Sequence, residues 1–270
     1  MAVDGAAPGV RLPAFHRFEA PATWRAIDFI SDLHLSPALP RTVQAWQQHL
    51  LHTPADAVFM LGDVFEVWVG DDARHQAFEQ RCVQVMAEAS CHRCLGFMAG
   101  NRDFLLGSAM LQACGLVGLP DPTRLSAFGH QVLLTHGDAL CLDDTAYQRF
   151  RAEVRQPAWQ ASFLAKLLAE RQAIAAEIRR ASRARQGFDS REDVDLDAAS
   201  SVHWLHTTGS TTLLHGHTHR PAEHELGPGL SRWVLSDWDL DHGPTPRADV
   251  LRLDQDGLHR VAPATAPAAD

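Results

Sequence analysis

Five places in the chain put imidazole, carboxylate or carboxamide groups directly after a short apolar run. They are Asp32-Leu33-His34, Gly62-Asp63, Gly100-Asn101, His136-Gly137-Asp138 and His215-Gly216-His217-Thr218-His219. The last is the densest. If the extended backbone of Thr211 to Leu214 persists, His215, His217 and His219 alternate by two and point to one face. Neutral imidazoles grouped at a strand end suit a transition metal. For this segment alone, a surface histidine-rich turn or satisfied core histidines are the alternatives. Asp32 and His34 are also two apart and can face one point beyond a strand end. Pooled, Asp32, His34, Asp63, Asn101, His136, His217 and His219 offer oxygen and imidazole nitrogen and no thiolate. That set suits a pair of Mn, Fe, Zn or similar ions better than one structural zinc. A carboxylate such as Asp63 can bridge two ions roughly 3.5–4 Å apart, where a bridging water becomes hydroxide near neutral pH and the site clamps an in-line displacement at phosphorus.

The elements that must position these groups alternate. Strands are predicted at Arg25 to Ser31, Asp56 to Leu61, Cys94 to Ala99, His130 to Thr135 and Thr211 to Leu214, and helices at Thr42 to His52 and Phe78 to Ala89. Ligand-type residues at the carboxyl ends of alternating strands are the behaviour of a layered α/β protein. Val64 to Asp72 mixes aromatics with acids and reads as a packed loop, and Leu116 to Phe128, interrupted by proline, reads as peripheral. Trp233 to Ser236, Val250 to Leu253 and Leu258 to Val261 look like antiparallel strands, the last two joined across Gln255-Asp256-Gly257.

A chain of 270 residues with 46% hydrophobic residues and a formal charge of -9 is a globular protein, not a nucleic-acid binder working by general basicity. Five cysteines without a secretory signal fit a reducing compartment. Cys91-His92-Arg93-Cys94 has no second pair at zinc spacing and reads as a helix end entering a strand. Residues 1–24 read as a flexible extension, residues 25–262 as the folded domain and residues 263–270, rich in Pro and Ala, as a disordered tail. No apolar run is long enough to span a membrane.

A helical insertion at about 145–192 differs from the rest. Arg149 to Arg191 holds nine arginines and Lys166 against Glu153, Glu170, Glu177 and Asp189. Phe163, Leu167, Ile174 and Ile178 keep helical spacing, widened by Leu164 and Leu168. Two helices packed on the body by that stripe is one reading; a basic, apolar cap over an anionic, lipid-like ligand is the other.

The five-part order Asp-x-His, Gly-Asp, Gly-Asn, His-Gly-Asp and Gly-His-x-His resembles the calcineurin-like metallophosphoesterases. The resemblance implies an α/β fold, a four-layer α-β-β-α sandwich, here with an inserted helical cap. Within that superfamily, Ser31 to Leu35, Leu61 to Asp72, Gly100 to Gly107 and His215 to Pro221 resemble the members that split UDP-2,3-diacylglucosamine into UMP and 2,3-diacylglucosamine 1-phosphate in lipid A biosynthesis. It implies two divalent ions, with Mn2+ expected. One would be held by Asp32, His34, Asp63 and His219, the other by Asp63, Asn101, His136 and His217. It also implies catalytic roles for Asp63, Asn101, Arg102 and His217, and substrate contacts from Asn101, Arg102, Asp144, Ser182 and His217. Where the family has an asparagine and a lysine after that serine, an ungapped count gives Gln186 and Asp189 here. It further implies a cytoplasmic protein, peripheral on the inner membrane, with no nucleic-acid partner.

Many phosphodiesterases of the superfamily carry Gly-Asn-His where this chain has Gly100-Asn101-Arg102. A guanidinium cannot act as a general acid at neutral pH. A phosphate leaving group needs no such acid, and an arginine would stabilise its charge, so position 102 favours pyrophosphate cleavage. Two other readings stand beside this one: a phosphoesterase acting on a soluble nucleotide-sugar or dinucleotide, and a catalytically dead scaffold.

Overall fold

The computed structural model describes residues 12–186 and 194–266. The first sheet is built on four parallel strands: β2 (Ala26–Ile30), β3 (Ala57–Leu61), β4 (Cys94–Met98) and β5 (Leu116–Gly118). Two antiparallel strands, β11 (Val250–Asp254) and β12 (Gly257–Val261), extend it beyond β2. The second sheet runs β1 (His16–Glu19), β6 (Thr123–Ala127), β7 (His130–Leu134), β8 (Thr212–His215), β10 (Leu230–Val234), β9 (Glu223–Gly227).

Side-chain alternation stacks the layers. Ile27, Phe29, Ala57, Phe59 and Leu61 face Leu125, Val132, Leu134 and Leu214 across the space between the sheets. The intervening Ile30, Val58 and Met60 face Trp46 and Leu50 of α1 (Pro40–His52) and Cys82 and Met86 of α2 (Ala77–Ser90), with Met110 of α3 (Ser108–Cys114) in the same layer. On the far side, Leu133 and Leu213 pack on Trp204 and Leu205 of α7 (Ala198–Thr208). Each inner strand is therefore buried on both faces, which is why it reads as a continuous apolar run. The result is the four-layer α-β-β-α arrangement.

Several sequence expectations change. Leu116 to Phe128 is not peripheral throughout, because β6 lies between β1 and β7 with Leu125 fully buried. His16–Glu19, inside the stretch read as a loose extension, pairs in parallel with β6. Strand β10 ends earlier than predicted and belongs to the sheet opposite β11 and β12, running parallel to β8. The start of the C-terminal stretch is docked: the Ala264 amide donates to His49 Nδ1 (3.1 Å) and the Ala266 amide to Gln48 Oε1 (3.0 Å). The Cys91-to-Cys94 segment does join the end of α2 to β4, and all five cysteines are free.

The insertion forms three helices: α4 (Thr145–Val154), α5 (Pro157–Leu164) and α6 (Leu168–Gln186). The apolar stripe is broken by the turn between α5 and α6. Phe163 is buried and stacks on Trp159 (centroids 4.9 Å apart), whereas Leu164, Leu167 and Ile178 are exposed, Leu167 at 73%. Helix α6 is tethered by Arg171, which donates to the Val69 carbonyl and pairs with Asp72, and by Arg179, which pairs with Glu66. Among the described residues, no helix is long and apolar enough to cross a membrane.

A buried polar cluster apart from the ligand-type residues sets a pH dependence. Asp28 is fully buried and takes a two-pronged bond from Arg252 (2.7 and 2.9 Å) and another from Thr53 Oγ1 (2.5 Å). His49 lies 3.5 Å from the same carboxylate, but burial lowers its pKa to about 4, against the pull of Asp28 and helped by Arg252 and Arg93. Arg252 already neutralises Asp28, so little attraction remains for an imidazolium. A histidine depressed in the folded state binds fewer protons there than when unfolded between pH 4 and 6.5. Its contribution is therefore complete above about pH 6.5, falls as pH drops to about 4, and amounts to roughly 3 kcal/mol. His49→Gln should flatten the melting temperature against pH in that window; an unchanged acid limb would remove His49 as its source.

Candidate metal centre

The five exits converge at one end of the sandwich, and the backbone there is unusual. Asp32, His34, Asp63, His217 and His219 all have positive φ, from 48° to 66°, and only Phe128 shares this among the described non-glycine residues. Such a conformation costs on the order of 1–2 kcal/mol at each residue and collects where function requires it. It also changes the reason for the i, i+2 pairs. The strand conformation does not persist: β8 ends at His215, which stays buried with Nδ1 2.7 Å from the Gly216 carbonyl, while His217 and His219 turn into the site from a left-handed loop. His215 is thus a core histidine.

Two glycines show why the motifs take their form. A Cβ on Gly100 would collide with the Asp63 carboxylate, and one on Gly216 with the Asp32 carboxylate and Ser31. The chain must pass within backbone distance of each acid, which only glycine allows.

Asp32 is fully buried; its Oδ2 accepts from Ser31 Oγ (2.5 Å) and the His217 amide (2.9 Å), and its Oδ1 lies 3.2 Å from His219 Nε2. Burial pushes the Asp32 pKa up, but the His219 bond and the charges of His219, His136 and His34 outweigh it and hold the carboxyl below its ordinary range. His34 Nε2 faces His219 Nε2 at 3.4 Å. Asp63 accepts the Arg102 amide (2.8 Å), and His136 Nε2 and Arg102 Nε lie 3.7 and 3.6 Å from its carboxylate. His136 Nδ1 donates to the Leu61 carbonyl (2.9 Å), so in the neutral ring it is Nε2 that carries the lone pair toward the site. Burial lowers the His136 pKa, yet Asp63, Asp32 and Asp138 together raise it to about 9. His217, buried beside His136, falls to about 4. The Asn101 amide sits 2.9 Å from His136 Nε2 and 3.0 Å from His217 Nδ1; in the absence of a cation its nitrogen satisfies these neighbours and Asp63 while its oxygen meets Arg102 Nε (3.2 Å), and the opposite amide orientation would offer the oxygen to a cation.

Two overlapping groups, Asp32 with His34 and His219, and Asp32 with Asp63 and His136, each bring ligand atoms within 4.8 Å of one another. A divalent cation fits this donor set. Two imidazole nitrogens facing each other at 3.4 Å beside a buried carboxylate can share one proton at most, whereas a cation accepts from all three at about 2.0–2.2 Å.

Residues with no role assigned from sequence hold this arrangement. Asp103, fully buried, accepts the amides of Gly100 (2.8 Å), Val64 (2.8 Å) and Asp63 (3.3 Å), which clamps the second and third exits together. Burial and the Asp63 charge raise its pKa to about 6. Asp138, fully buried, accepts from Tyr147 Oη (2.5 Å) and Arg151 Nε (2.8 Å), locking α4 onto the fourth exit. Arg155 donates to the Gly100 carbonyl (2.9 Å). The sequence signal was present for both acids, each two residues from a candidate ligand, but Asp103 binds Val64 and Asp63 across 39 and 40 positions and the partners of Asp138 lie on α4.

Of the other candidates, Arg102 joins the site. Asp144 caps α4, its carboxylate accepting the Tyr147 amide at 2.9 Å. Ser182 and Gln186 lie on the last turns of α6, and Asp189 lies outside the described residues.

No protein-family model matches the chain. Curated relatives do. The UDP-2,3-diacylglucosamine hydrolase of Xanthomonas axonopodis pv. citri is 45% identical over 241 residues, covering 85% of this chain and 95% of that one. Its namesake from Bordetella parapertussis is 44% identical over 236 residues, covering 84% and 91%. Among solved structures, a phosphoesterase from E. coli aligns over 88% of this chain and 99% of that one, at 15% identity and a TM-score of 0.40. With nearly half its residues identical over most of both chains, the protein belongs to the UDP-2,3-diacylglucosamine hydrolase family.

Proposed function

We propose that this chain hydrolyses the pyrophosphate of UDP-2,3-diacylglucosamine to UMP and 2,3-diacylglucosamine 1-phosphate. In this reading Asp32, His34, Asp63 and His219 hold one divalent cation, and Asp63, Asn101, His136 and His217 hold the other, with Mn2+ the expected ion. The observation that carries the proposal is the convergence of these seven side chains, five of them in left-handed backbone, in a chain so close to named hydrolases of that substrate. When bound, such cations polarise phosphoryl oxygens and make water a competent nucleophile near neutral pH. The chain's own residues do the rest. Leu61 fixes the His136 tautomer, so that Nε2 faces Asn101 and Asp63. Arg102, held beside Asp63, presents a permanent positive charge to phosphate oxygens and supplies no proton. Asp103 keeps Gly100, Asp63 and Val64 in register, so that Arg102 and Asn101 stay aimed at the same point.

The cap supplies the apolar end of the proposed substrate site and its approach to the membrane surface. Leu164, Leu167 and Ile178 stand exposed on a segment with an excess of arginine, a combination suited to acyl chains and anionic head groups. That supports a protein peripheral on the cytoplasmic face of the inner membrane. Phe163, buried against Trp159, is removed from the set of acyl contacts.

The test is turnover of Mn2+-loaded protein on UDP-linked substrates with and without acyl chains. Shortening each of two chains by two methylenes should raise KM on the order of 100-fold, at about 0.8 kcal/mol per CH2. Leu164, Leu167 and Ile178 changed together to Ser should raise KM for the diacyl substrate far more than they lower kcat, because acyl contacts are equal in ground and transition states. Equal turnover of the deacylated compound would instead support a soluble nucleotide-sugar as substrate.

A further inference from the structure

The two histidines of the first proposed cation set share an arrangement on the side facing away from it. His34 Nδ1 lies 3.4 Å from Glu66 Oε2, and this buried nitrogen has no hydrogen-bond partner. His219 Nδ1 lies 3.7 Å from Asp237 Oδ2. Each carboxylate is in turn held by an arginine. Arg247 grips both oxygens of Asp237 (3.1 and 2.7 Å), and Arg179 directs Nε (3.1 Å) and Nη2 onto Glu66 Oε1. The sources differ in kind. Asp237 follows β10 inside the sandwich, and the next residue, Trp238, donates its amide to the Asp32 carbonyl (3.1 Å). Arg179, by contrast, belongs to cap helix α6.

We infer that Glu66 and Asp237 are positioning residues of one cation subsite, orienting His34 and His219 through Nδ1, and that the Arg179–Glu66 pair makes cap helix α6 part of that subsite. A carboxylate 3.4–3.7 Å from Nδ1 draws the ring proton to that nitrogen by its charge, so Nε2 keeps its lone pair for the cation, and it makes the imidazole a better donor. The arginine helps to hold the carboxylate oxygen in place and so narrows the rotamers open to a side chain as long as Glu66. Seating a cation on His34 therefore favours the rotamer of Glu66 that receives Arg179, and α6 is ordered when the subsite fills. By reciprocity, a docked α6 tightens the subsite. The other proposed set takes its orientation from the core instead, through the Leu61 carbonyl on His136. The second set meets the cap through α4, by way of Asp138 and Gly100, so only the first is coupled to α6.

The inference rests on the two-cation reading, and the experiment separates the two. Mn2+ is titrated calorimetrically into the metal-free full chain, and amide exchange across residues 168–181 is followed with and without Mn2+. Wild type should bind two ions and gain protection in α6. Glu66→Gln and Asp237→Asn should each weaken one site by about 10–100-fold and leave the other unchanged. Arg179→Met should weaken that same site and abolish the Mn2+-dependent protection. Arg171→Met loosens α6 at Val69 and Asp72 but keeps the Arg179–Glu66 pair, so it should lower α6 protection with and without Mn2+ alike, retain the Mn2+-dependent gain and weaken the first site less than Arg179→Met does. If wild type binds two ions and Glu66→Gln and Asp237→Asn bind them equally well, the inference is overturned and the cation reading stands. Arg171→Met matching Arg179→Met would also overturn it, by showing that cap packing and not Glu66 carries the effect. Failure of wild type to bind Mn2+ would sink both.

Discussion

Asp63→Asn should lower turnover by at least about 10³-fold and cut bound Mn2+ from two ions per chain to less than one. The proposed cation sets share only this residue, so its charge is lost from both at once. Its removal should also lower the pKa of His136, because Asp63 is the foremost of the carboxylates that raise it to about 9. The fold should survive. The loop is held by Asp103 through the amides of Asp63 and Val64, and an asparagine oxygen can still accept the Arg102 amide. Metal analysis after desalting, kcat, an NMR pH titration of His136 in metal-free protein and the melting temperature of that protein check the four parts. Two retained ions with a near-normal rate would take Asp63 out of the shared position.

Asp138→Ala should show the opposite balance, with stability as the main loss. The acid is buried between the fourth exit and α4, and its removal strands the Tyr147 hydroxyl and the Arg151 guanidinium. Losing one partner of a buried charged pair costs about 3–5 kcal/mol, a fall in melting temperature of roughly 10 °C for a chain of this size. Arg155 keeps its bond to Gly100 and its place 5.1 Å above Phe104, so the damage should centre on α4. Burial raises the Asp138 pKa, but Arg151, His136 and Arg155 hold it below the ordinary carboxylate range. The stabilisation is therefore complete above the unfolded value of about 3.9 and is lost as pH falls toward the folded one. Urea unfolding should show the gap between wild type and variant widest near pH 7 and narrowing below pH 4. A constant gap would mean that Asp138 acts through shape and not charge.

The sequence alone determined which residues would meet. Asp32, His34, Asp63, Asn101, His136, His217 and His219 each follow an apolar run, and parallel strands with helical crossovers bring their carboxyl ends to one side of a sheet. That part was legible because strand burial on both faces leaves an unbroken apolar signature, and because the exits supply only oxygen and nitrogen donors. What the tertiary structure decided was how the residues aim. The i, i+2 spacing of the histidines suggested continued strand, but the backbone turns left-handed, leaving His215 in the core and delivering His217 and His219 to the site. Such a conformation has no local propensity to betray it, since it is imposed by contacts between loops distant in sequence. The same holds for Asp103, Asp138, Glu66 and Asp237, whose partners come from separate exits or from the cap. The break between Phe163 and Leu167 also needed the fold, because helical spacing continues across a turn that only packing against Trp159 and the body reveals. Composition and order name the candidate ligand set; long-range burial of each acid and each imidazole orients it.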